Sequence, residues 1–207
     1  MKVFSLSASD EACQLFQSGT ELDDWYRLSY PQDRTADRPW TPIHVELTCI
    51  DEEGRARQHV DFPSHGYDCL IMSATAKVAL HALLAPHGEF LKLACDEADL
   101  YVFDVSTQID ALDAARSSPL YDYDDDGEPI GEHLGITTPY AFFTERLGDA
   151  CIFRVPQLKT FFLTERFVQA VKDLDLRGLA VRTEFDSERD QYGFDHLGRP
   201  LTAPRAR

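Results

Sequence analysis

The densest group of side chains that can do chemistry is the segment DYDDDGE, residues 122–128. It begins like a calcium-binding loop, because Asp122, Asp124, Asp126 and the following glycine fall at positions 1, 3, 5 and 6. Position 12 of such a loop requires a bidentate glutamate, and His133 stands there instead. The run therefore favours an acidic solvated loop, or a surface that faces a partner, over a calcium site.

The histidines do not have the spacing of a metal site. No two of the seven are separated as in His-x-x-x-His, the pattern that places two ligands on one helix face. His65 lies near Asp68 and Cys69, but the repeated, closely spaced ligands of zinc sites are missing. We therefore expect no metal and no cofactor.

Motifs for covalent catalysis are also missing. The chain has no Gly-x-Ser-x-Gly elbow, no phosphate-binding glycine loop and no dinucleotide fingerprint. Five cysteines are scattered and never spaced Cys-x-x-Cys, which favours a cytosolic protein with buried thiols. Cys69 and Cys95 lie in apolar strand-like runs, where a thiol usually packs without reacting. No catalytic residue can be named, and we expect the chain not to be an enzyme.

Charge is concentrated in the middle of the sequence. The 207 residues carry 20 Lys and Arg against 36 Asp and Glu, a formal net charge of −16. Residues 96–132 hold twelve acids and a single base, Arg116, so this segment alone has a net charge of −11. Such a chain repels nucleic acid and anionic membranes and attracts a basic partner, although solubility alone is an equally good explanation. No apolar run is long enough to span a membrane, and no secretory signal is expected.

The sequence predicts two strand–helix–strand modules, which position the candidate side chains named above. In the second, at about residues 140–185, a short run of strand formers precedes Thr164, which offers an oxygen to cap a helix. Phe167, Val171 and Leu174 recur at helical spacing, so this helix has one apolar face. A glycine and an alternating strand then close the module.

The first module, at about residues 59–105, repeats this pattern with little residue identity. Ser73 is the expected cap of a helix over residues 74–85, which Pro86 ends, and a strand over residues 90–94 follows. Two units are too few for a repeat protein. We interpret them as related modules of one domain.

Several other segments carry structural expectations. Residues 10–16 and 109–116 predict short helices, and residues 44–62 predict a β-hairpin. Trp25 is expected in the core, and Trp40 in a role as a loop anchor or an interface residue.

The fold class follows from these elements. Residues 117–140 are rich in Asp, Gly and Pro and predict a long acidic loop, and residues 186–207 predict a surface tail. No Ser/Gly linker divides the chain. We therefore expect a single α+β domain over residues 1–207, with mixed or antiparallel sheet packed by a few helices.

The second module also resembles a known family. The segments YAFFTERL (140–147), IFRVP (152–156) and FFLTERFVQAVKDLDLRGLAVRTEF (161–185) are similar to the Imm11 (DUF1629) immunity proteins of bacterial polymorphic-toxin loci. The shared pattern is an apolar strand, a Thr-Glu-Arg-Phe helix start, an amphipathic helix, a Leu-x-Gly-type turn and a closing strand. It is strongest over the last third of the chain and weaker over residues 59–95.

The resemblance implies a cytoplasmic protein that binds a cognate toxin or effector domain and blocks it, with no catalytic residues and no cofactor. Such toxins reach their targets by routes that include type VI secretion. Many act on nucleic acid and are basic, so an acidic surface suits them. The expected partner is therefore a protein, with no nucleic acid and no membrane. The expected contact residues are Tyr121, Asp122, Tyr123, Asp124, Asp125, Asp126 and Glu128.

Two other classes of function stay open at this point. One is a divalent-metal-dependent enzyme that uses His65, Asp68 or Asp122. The other is an acidic DNA mimic or adaptor that binds a host nucleoid protein. Calorimetry with calcium or manganese would test the first, and the identity of a co-purified partner would test the second.

Overall fold

The chain forms thirteen strands and three α-helices within the part that the structure, a computed structural model, describes. The described residues are 1–9, 12–17, 22–51, 53–65, 69–123, 129–188, 191–194 and 200–201. The strands are β1 (Lys2–Leu6), β2 (Gln14–Gln17), β3 (Val45–Thr48), β4 (Ile71–Ser73), β5 (Gly88–Lys92), β6 (Leu100–Val105), β7 (Ser118–Tyr123), β8 (Pro129–Thr137), β9 (Ile152–Arg154), β10 (Phe161–Thr164), β11 (Val181–Asp186), β12 (Gln191–Phe194) and β13 (Pro200–Leu201). The helices are α1 (Leu22–Ser29), α2 (Ala74–Leu84) and α3 (Glu165–Asp173), and none of them is long and apolar enough to cross a membrane.

Four sheets are present among these residues, and the named strands within them pair antiparallel. The largest has the order β13-β12-β11-β1-β10-β9, and a second has the order β4-β6-β5. Two-stranded sheets pair β2 with β3 and β7 with β8. The class is α+β, as predicted.

The two modules share one arrangement. In each, the strand before the helix and the strand after it lie in the same sheet, parallel to each other, with one antiparallel strand between them. That inserted strand is β6 between β4 and β5, and β1 between β10 and β11. A helix can join two parallel strands, which a tight turn cannot do, so this topology explains why each module contains one.

Both module sheets are buried on two faces. On β10, Phe161 and Leu163 contact a cluster that includes side chains of both α2 and α3, whereas Phe162 faces an aromatic cluster on the other side. Side chains along a strand point alternately to the two faces of the sheet, so consecutive apolar residues can fill both clusters. The first cluster joins the two modules, which supports our proposal that residues 1–207 form a single domain.

The two module helices begin differently. Ser73 caps α2 as predicted, because its hydroxyl accepts a hydrogen bond from the Ala76 amide at 3.1 Å. Thr164 stands at the start of α3 but makes no side-chain cap. Its hydroxyl instead donates to the Ala150 carbonyl at 2.9 Å, which ties the helix start to the neighbouring loop.

Several local predictions were wrong. Residues 14–17 form β2 where a helix was expected, since they pair with β3. Residues 109–116 form no helix: Leu112 makes an antiparallel bridge to Phe142, and a turn covers residues 114–116. The hairpin expected over residues 44–62 forms at its tip, where Ile50 bridges Ala56 and the Arg57 amide donates to the Cys49 carbonyl at 2.7 Å, whereas β3 itself pairs with β2.

The long acidic loop and the tail are also more regular than predicted. Within residues 117–140, β7 and β8 form a hairpin, which we call the acidic hairpin (residues 118–137). In the tail, β12 and β13 extend the large sheet from β11.

The cysteines do not all remain thiols. Cys13 and Cys49 form a disulfide, whereas Cys69, Cys95 and Cys151 keep their thiols. The β2–β3 register explains the pairing, because it places Gln14 opposite Thr48 and therefore the preceding and following cysteines opposite each other. Cross-strand neighbours in antiparallel sheets have the close Cα distance that a disulfide needs, here 4.4 Å.

Gly88, the first residue of β5, is expected to tolerate no side chain. A Cβ there would lie 2.0 Å from the Asp104 carbonyl oxygen and 2.8 Å from the Phe103 ring, so β5 and β6 would have to separate. We expect Gly88→Ala to lower the free energy of unfolding by about 2–3 kcal/mol, and Tm by roughly 5–10 °C, in calorimetry. Gly135→Ala is the matched control, because a Cβ at Gly135 meets nothing within 4 Å. Equal melting temperatures for the two variants would contradict the close approach.

Candidate partner-binding surface

The acidic hairpin has a defined register. Its strands pair from Ser118 opposite Thr137 to Tyr123 opposite Pro129, with an irregularity after Leu120. Pro119 and Leu120 on β7 are exposed. The connection between the two strands contains four acids, Asp124, Asp125, Asp126 and Glu128.

The predicted contact residues divide between described and undescribed parts of this hairpin. Tyr121, Asp122 and Tyr123 belong to β7, of which the structure gives the backbone at these positions. Four further acids lie outside the described residues: Asp124, Asp125, Asp126 and Glu128. We call these four acids and Asp122 the acidic run, and its role as a contact surface stays a prediction.

Hydrogen bonds at the base of the hairpin fix its two ends. The buried Ser117 hydroxyl donates to the Asp113 carbonyl at 2.8 Å and accepts from the Ala141 amide at 2.9 Å. On the other strand, the Thr138 hydroxyl donates to the carboxylate of the fully buried Glu184 at 3.1 Å. Buried polar groups with satisfied hydrogen bonds give a rigid local geometry, so the base can hold the hairpin in a defined position.

A second exposed surface lies on and after α1. Trp25 is 49% exposed, which contradicts its predicted place in the core, and Tyr26 is 39% exposed. The Arg27 guanidinium lies 5.7 Å from the centre of the Trp40 ring, and Lys159 Nζ lies 5.0 Å from that of Tyr30. Trp, Tyr and Arg are the residue types that dominate binding energy at protein interfaces, so this surface can also contact a protein.

Trp40 has the predicted role of a loop anchor. Its indole nitrogen donates to the Lys92 carbonyl at 2.9 Å, and the ring packs against a hydrophobic cluster that includes Leu91 and Leu93. The loop that contains Trp40 is thereby held against β5 and the residues that follow it.

A buried ion pair supports the groove beside Trp40. Arg34 lines this groove and pairs with Glu89 and with the buried Asp104, whose Oδ2 lies 3.0 Å from Arg34 Nη1. Burial raises the pKa of the Asp104 carboxyl, although the Arg34 and Arg154 guanidinium groups oppose this shift.

Of the three residues named for an enzyme reaction, the structure describes the side chain of His65. His65 Nδ1 lies 3.0 Å from the Leu15 carbonyl oxygen, a backbone contact. Asp68 lies outside the described residues, and of Asp122 only the backbone is described. His81 stacks on Phe90, with ring centres 5.8 Å apart.

Burial shifts the pKa of one further histidine and of two thiols in the two modules. Burial lowers the pKa of His87, whose Nδ1 lies 3.0 Å from the Thr107 hydroxyl. Burial also raises the pKa of Cys151 to about 11 and, together with a hydrogen bond to Glu97, that of Cys95. Thiols with raised pKa are poor nucleophiles at neutral pH, as expected of packing residues.

Comparison with known proteins gives the family. A family model described as "Immunity protein family (Imm11)" matches residues 7–184, which include both modules and the acidic hairpin. A comparison with the curated proteins found no match. The match extends over most of the chain and confirms the resemblance carried by the second module. The chain therefore belongs to the Imm11 immunity protein family.

Proposed function

We propose that this protein binds a cognate toxin domain in the cytoplasm and blocks its activity by contact, without catalysis of its own. The observation that carries the proposal is the family match over residues 7–184, since immunity proteins protect against toxins. The shifted thiols and the backbone-bound His65 are consistent with a protein that acts by binding.

The distribution of charge supports a basic partner. The net charge of −16 is concentrated in residues 96–132, which include β6 and most of the acidic hairpin. An acidic surface attracts a basic protein over several ångströms and raises the rate of encounter. We propose a nuclease-type toxin, because the cleft that binds nucleic-acid phosphates in such an enzyme is basic and complementary to this surface.

The test begins with the gene beside the one for this protein. We expect a neighbouring gene for a large secreted protein whose variable C-terminal domain is toxic when expressed alone in the cytoplasm. Co-expression with this chain should restore growth, and the two proteins should co-purify as a complex. A toxin domain from an unrelated locus is the control and should stay toxic.

Two results would contradict the proposal. One is a neighbouring toxin domain that remains lethal and unbound in the presence of the folded chain. The other is turnover of a small molecule by the purified chain alone, which would favour an enzyme. Recovery of a nucleoid protein as the bound partner would favour the adaptor instead.

A further inference from the structure

We propose that Cys13, Cys49 and His59 form a redox-controlled zinc site, closed as a disulfide when oxidised and able to bind one Zn²⁺ when reduced. This site is separate from the acidic hairpin and does not depend on the proposed function. Among the described residues, their sulfur and nitrogen atoms all lie within 4.8 Å of one another.

The backbone brings the three residues together from distant parts of the sequence. Cys13 and Cys49 are placed opposite each other at the end of the β2–β3 ladder. The strand-like segment that contains His59 lies beside them, because the Cys13 amide donates to the Gln58 carbonyl at 3.0 Å and the Arg57 amide donates to the Cys49 carbonyl at 2.7 Å. Backbone hydrogen bonds of Cys13 and Cys49 with residues 57 and 58 therefore hold the segment of His59 beside the two cysteines.

The distance between sulfur and imidazole fits a tetrahedral zinc site. Cys49 Sγ lies 3.6 Å from His59 Nε2 and 3.9 Å from Nδ1. With the usual zinc–sulfur and zinc–nitrogen bond lengths, two ligands at the tetrahedral angle are about 3.6 Å apart. After reduction the two sulfurs need to separate to about 3.8 Å for the same geometry, which side-chain rotation allows.

The candidate zinc site is buried on the side of Cys13 and open to solvent on the side of His59. Cys13 is 1% exposed, Cys49 is half-buried and the His59 side chain is exposed. A metal ion can therefore enter past His59 and reach the sulfurs. Asp51, two residues after Cys49, is not available as a fourth ligand, because its carboxylate accepts from the Arg55 side chain at 2.6 Å and from two backbone amides. We assign the fourth position to water, as in other three-ligand zinc sites.

The chemistry balances with a cellular dithiol as reductant. The dithiol gives two electrons and two protons to the disulfide, so that Cys13 and Cys49 become thiols and the reductant becomes a disulfide. Zn²⁺ then displaces the two thiol protons and takes the lone pair of the neutral His59 imidazole. Hydrogen peroxide reverses this: it takes two electrons from the thiolates and two protons from solvent and becomes two water molecules, while the Cys13–Cys49 bond re-forms and Zn²⁺ is released.

The first measurement compares the oxidised and reduced forms of the full chain. In denaturant, the oxidised chain should show three thiols and the reduced chain five. The folded chain, reduced with a phosphine under nitrogen, should bind one equivalent of Co²⁺ with a thiolate-to-metal charge-transfer band, and Zn²⁺ should displace the Co²⁺. The oxidised chain should bind neither ion. Metal binding by the oxidised chain, or none by the reduced chain, would overturn the proposal.

Substitutions then identify the ligands. Removing a group that hydrogen-bonds to a metal ligand usually weakens metal affinity about 10–100-fold. His59→Gln removes a ligand itself, so it should weaken Zn²⁺ binding by at least about 100-fold. Because the His59 side chain is exposed, this variant should stay folded, as circular dichroism can check. Cys13→Ser should abolish the charge-transfer band if its fold is intact.

Matched controls keep the result specific. His44→Gln changes another exposed histidine, and Cys95→Ser removes a thiol that donates to Glu97 instead. Both should bind Zn²⁺ like the unchanged chain. Equal affinity of His59→Gln and His44→Gln would overturn the assignment of His59 as a ligand.

Discussion

Charge reversal of the acidic run is expected to weaken binding of the cognate toxin domain by at least about 100-fold at low salt, since electrostatic steering alone changes association rates by up to about 10³-fold. The variant replaces Asp122, Asp124, Asp125, Asp126 and Glu128 by lysine. Each replacement changes the local charge by two units, so a surface that attracts a basic partner becomes one that repels it. Most of the loss should appear in the association rate, measured by surface plasmon resonance or stopped flow.

Salt dependence gives a second readout of the same variant. For the unchanged chain, affinity should fall as ionic strength rises, because the Debye length shortens to about 10 Å at 0.1 M. For the lysine variant, this dependence should weaken or change sign. An affinity and a salt dependence like those of the unchanged chain would exclude the acidic run from the contact surface.

A control with the same total change of charge is available. It uses five of the exposed acids outside the acidic run: Asp37, Glu46, Asp96, Glu145 and Asp149. Their replacement by lysine gives the same net charge as the reversal of the acidic run. If the position of the charge matters, this control should bind much more tightly than the variant of the acidic run. If net charge alone matters, the two should bind alike.

The second module shows how much of this fold could be predicted from sequence. The strand formers before Thr164 and the glycine that follows α3 are local signals, and both correspond to observed structure. Of the predicted apolar face, Phe167 and Val171 are buried, whereas Leu174 lies beyond the end of α3 and is 45% exposed. Gly178 has a φ of 93°, which favours glycine, as the predicted reversal requires. The position of β1 between β10 and β11 could not be predicted, because no local pattern encodes a pairing across more than 150 residues.

Long-range pairing also explains the wrong predictions. Residues 10–16 have a weak helical pattern, but β3 offers residues 14–17 a ladder of hydrogen bonds, and tertiary context decides between such alternatives. The same pairing brings Cys13 and Cys49 together. A count of five cysteines with no close spacing could not show this, because a disulfide depends on distance in the fold.

The candidate surface was predicted from composition, and composition does not give geometry. Acid content identified residues 96–132, but Asp, Gly and Pro suggested a loop where β7 and β8 pair. Trp25 has apolar neighbours in sequence and was therefore expected inside, whereas α1 buries Leu28 and Ser29 and leaves Trp25 exposed. Sequence neighbours alone cannot decide which face of a short helix turns inward.

Phe162→Ala is expected to lower the free energy of unfolding by about 3–5 kcal/mol. Phe162 is fully buried on the face of the large sheet opposite α3. Its ring centre lies 4.9 Å from that of Phe142, 5.4 Å from that of Tyr140 and 5.8 Å from that of Phe153. Truncation removes one member from every one of these ring pairs and leaves a cavity, because neighbouring strands cannot collapse fully into the space.

Urea unfolding followed by circular dichroism measures the loss, and Phe16→Ala is the matched control. Phe16 on β2 is 50% exposed, so the same chemical change there should alter stability by less than about 1 kcal/mol. A domain of this kind is stable by about 5–15 kcal/mol, so Phe162→Ala can also unfold the chain outright. Phe162→Leu keeps most of the volume and should cost less, about 1.5 kcal/mol, which preserves a measurable transition. If Phe162→Ala were no more destabilising than Phe16→Ala, the aromatic cluster around Phe162 would not contribute to the stability of the large sheet.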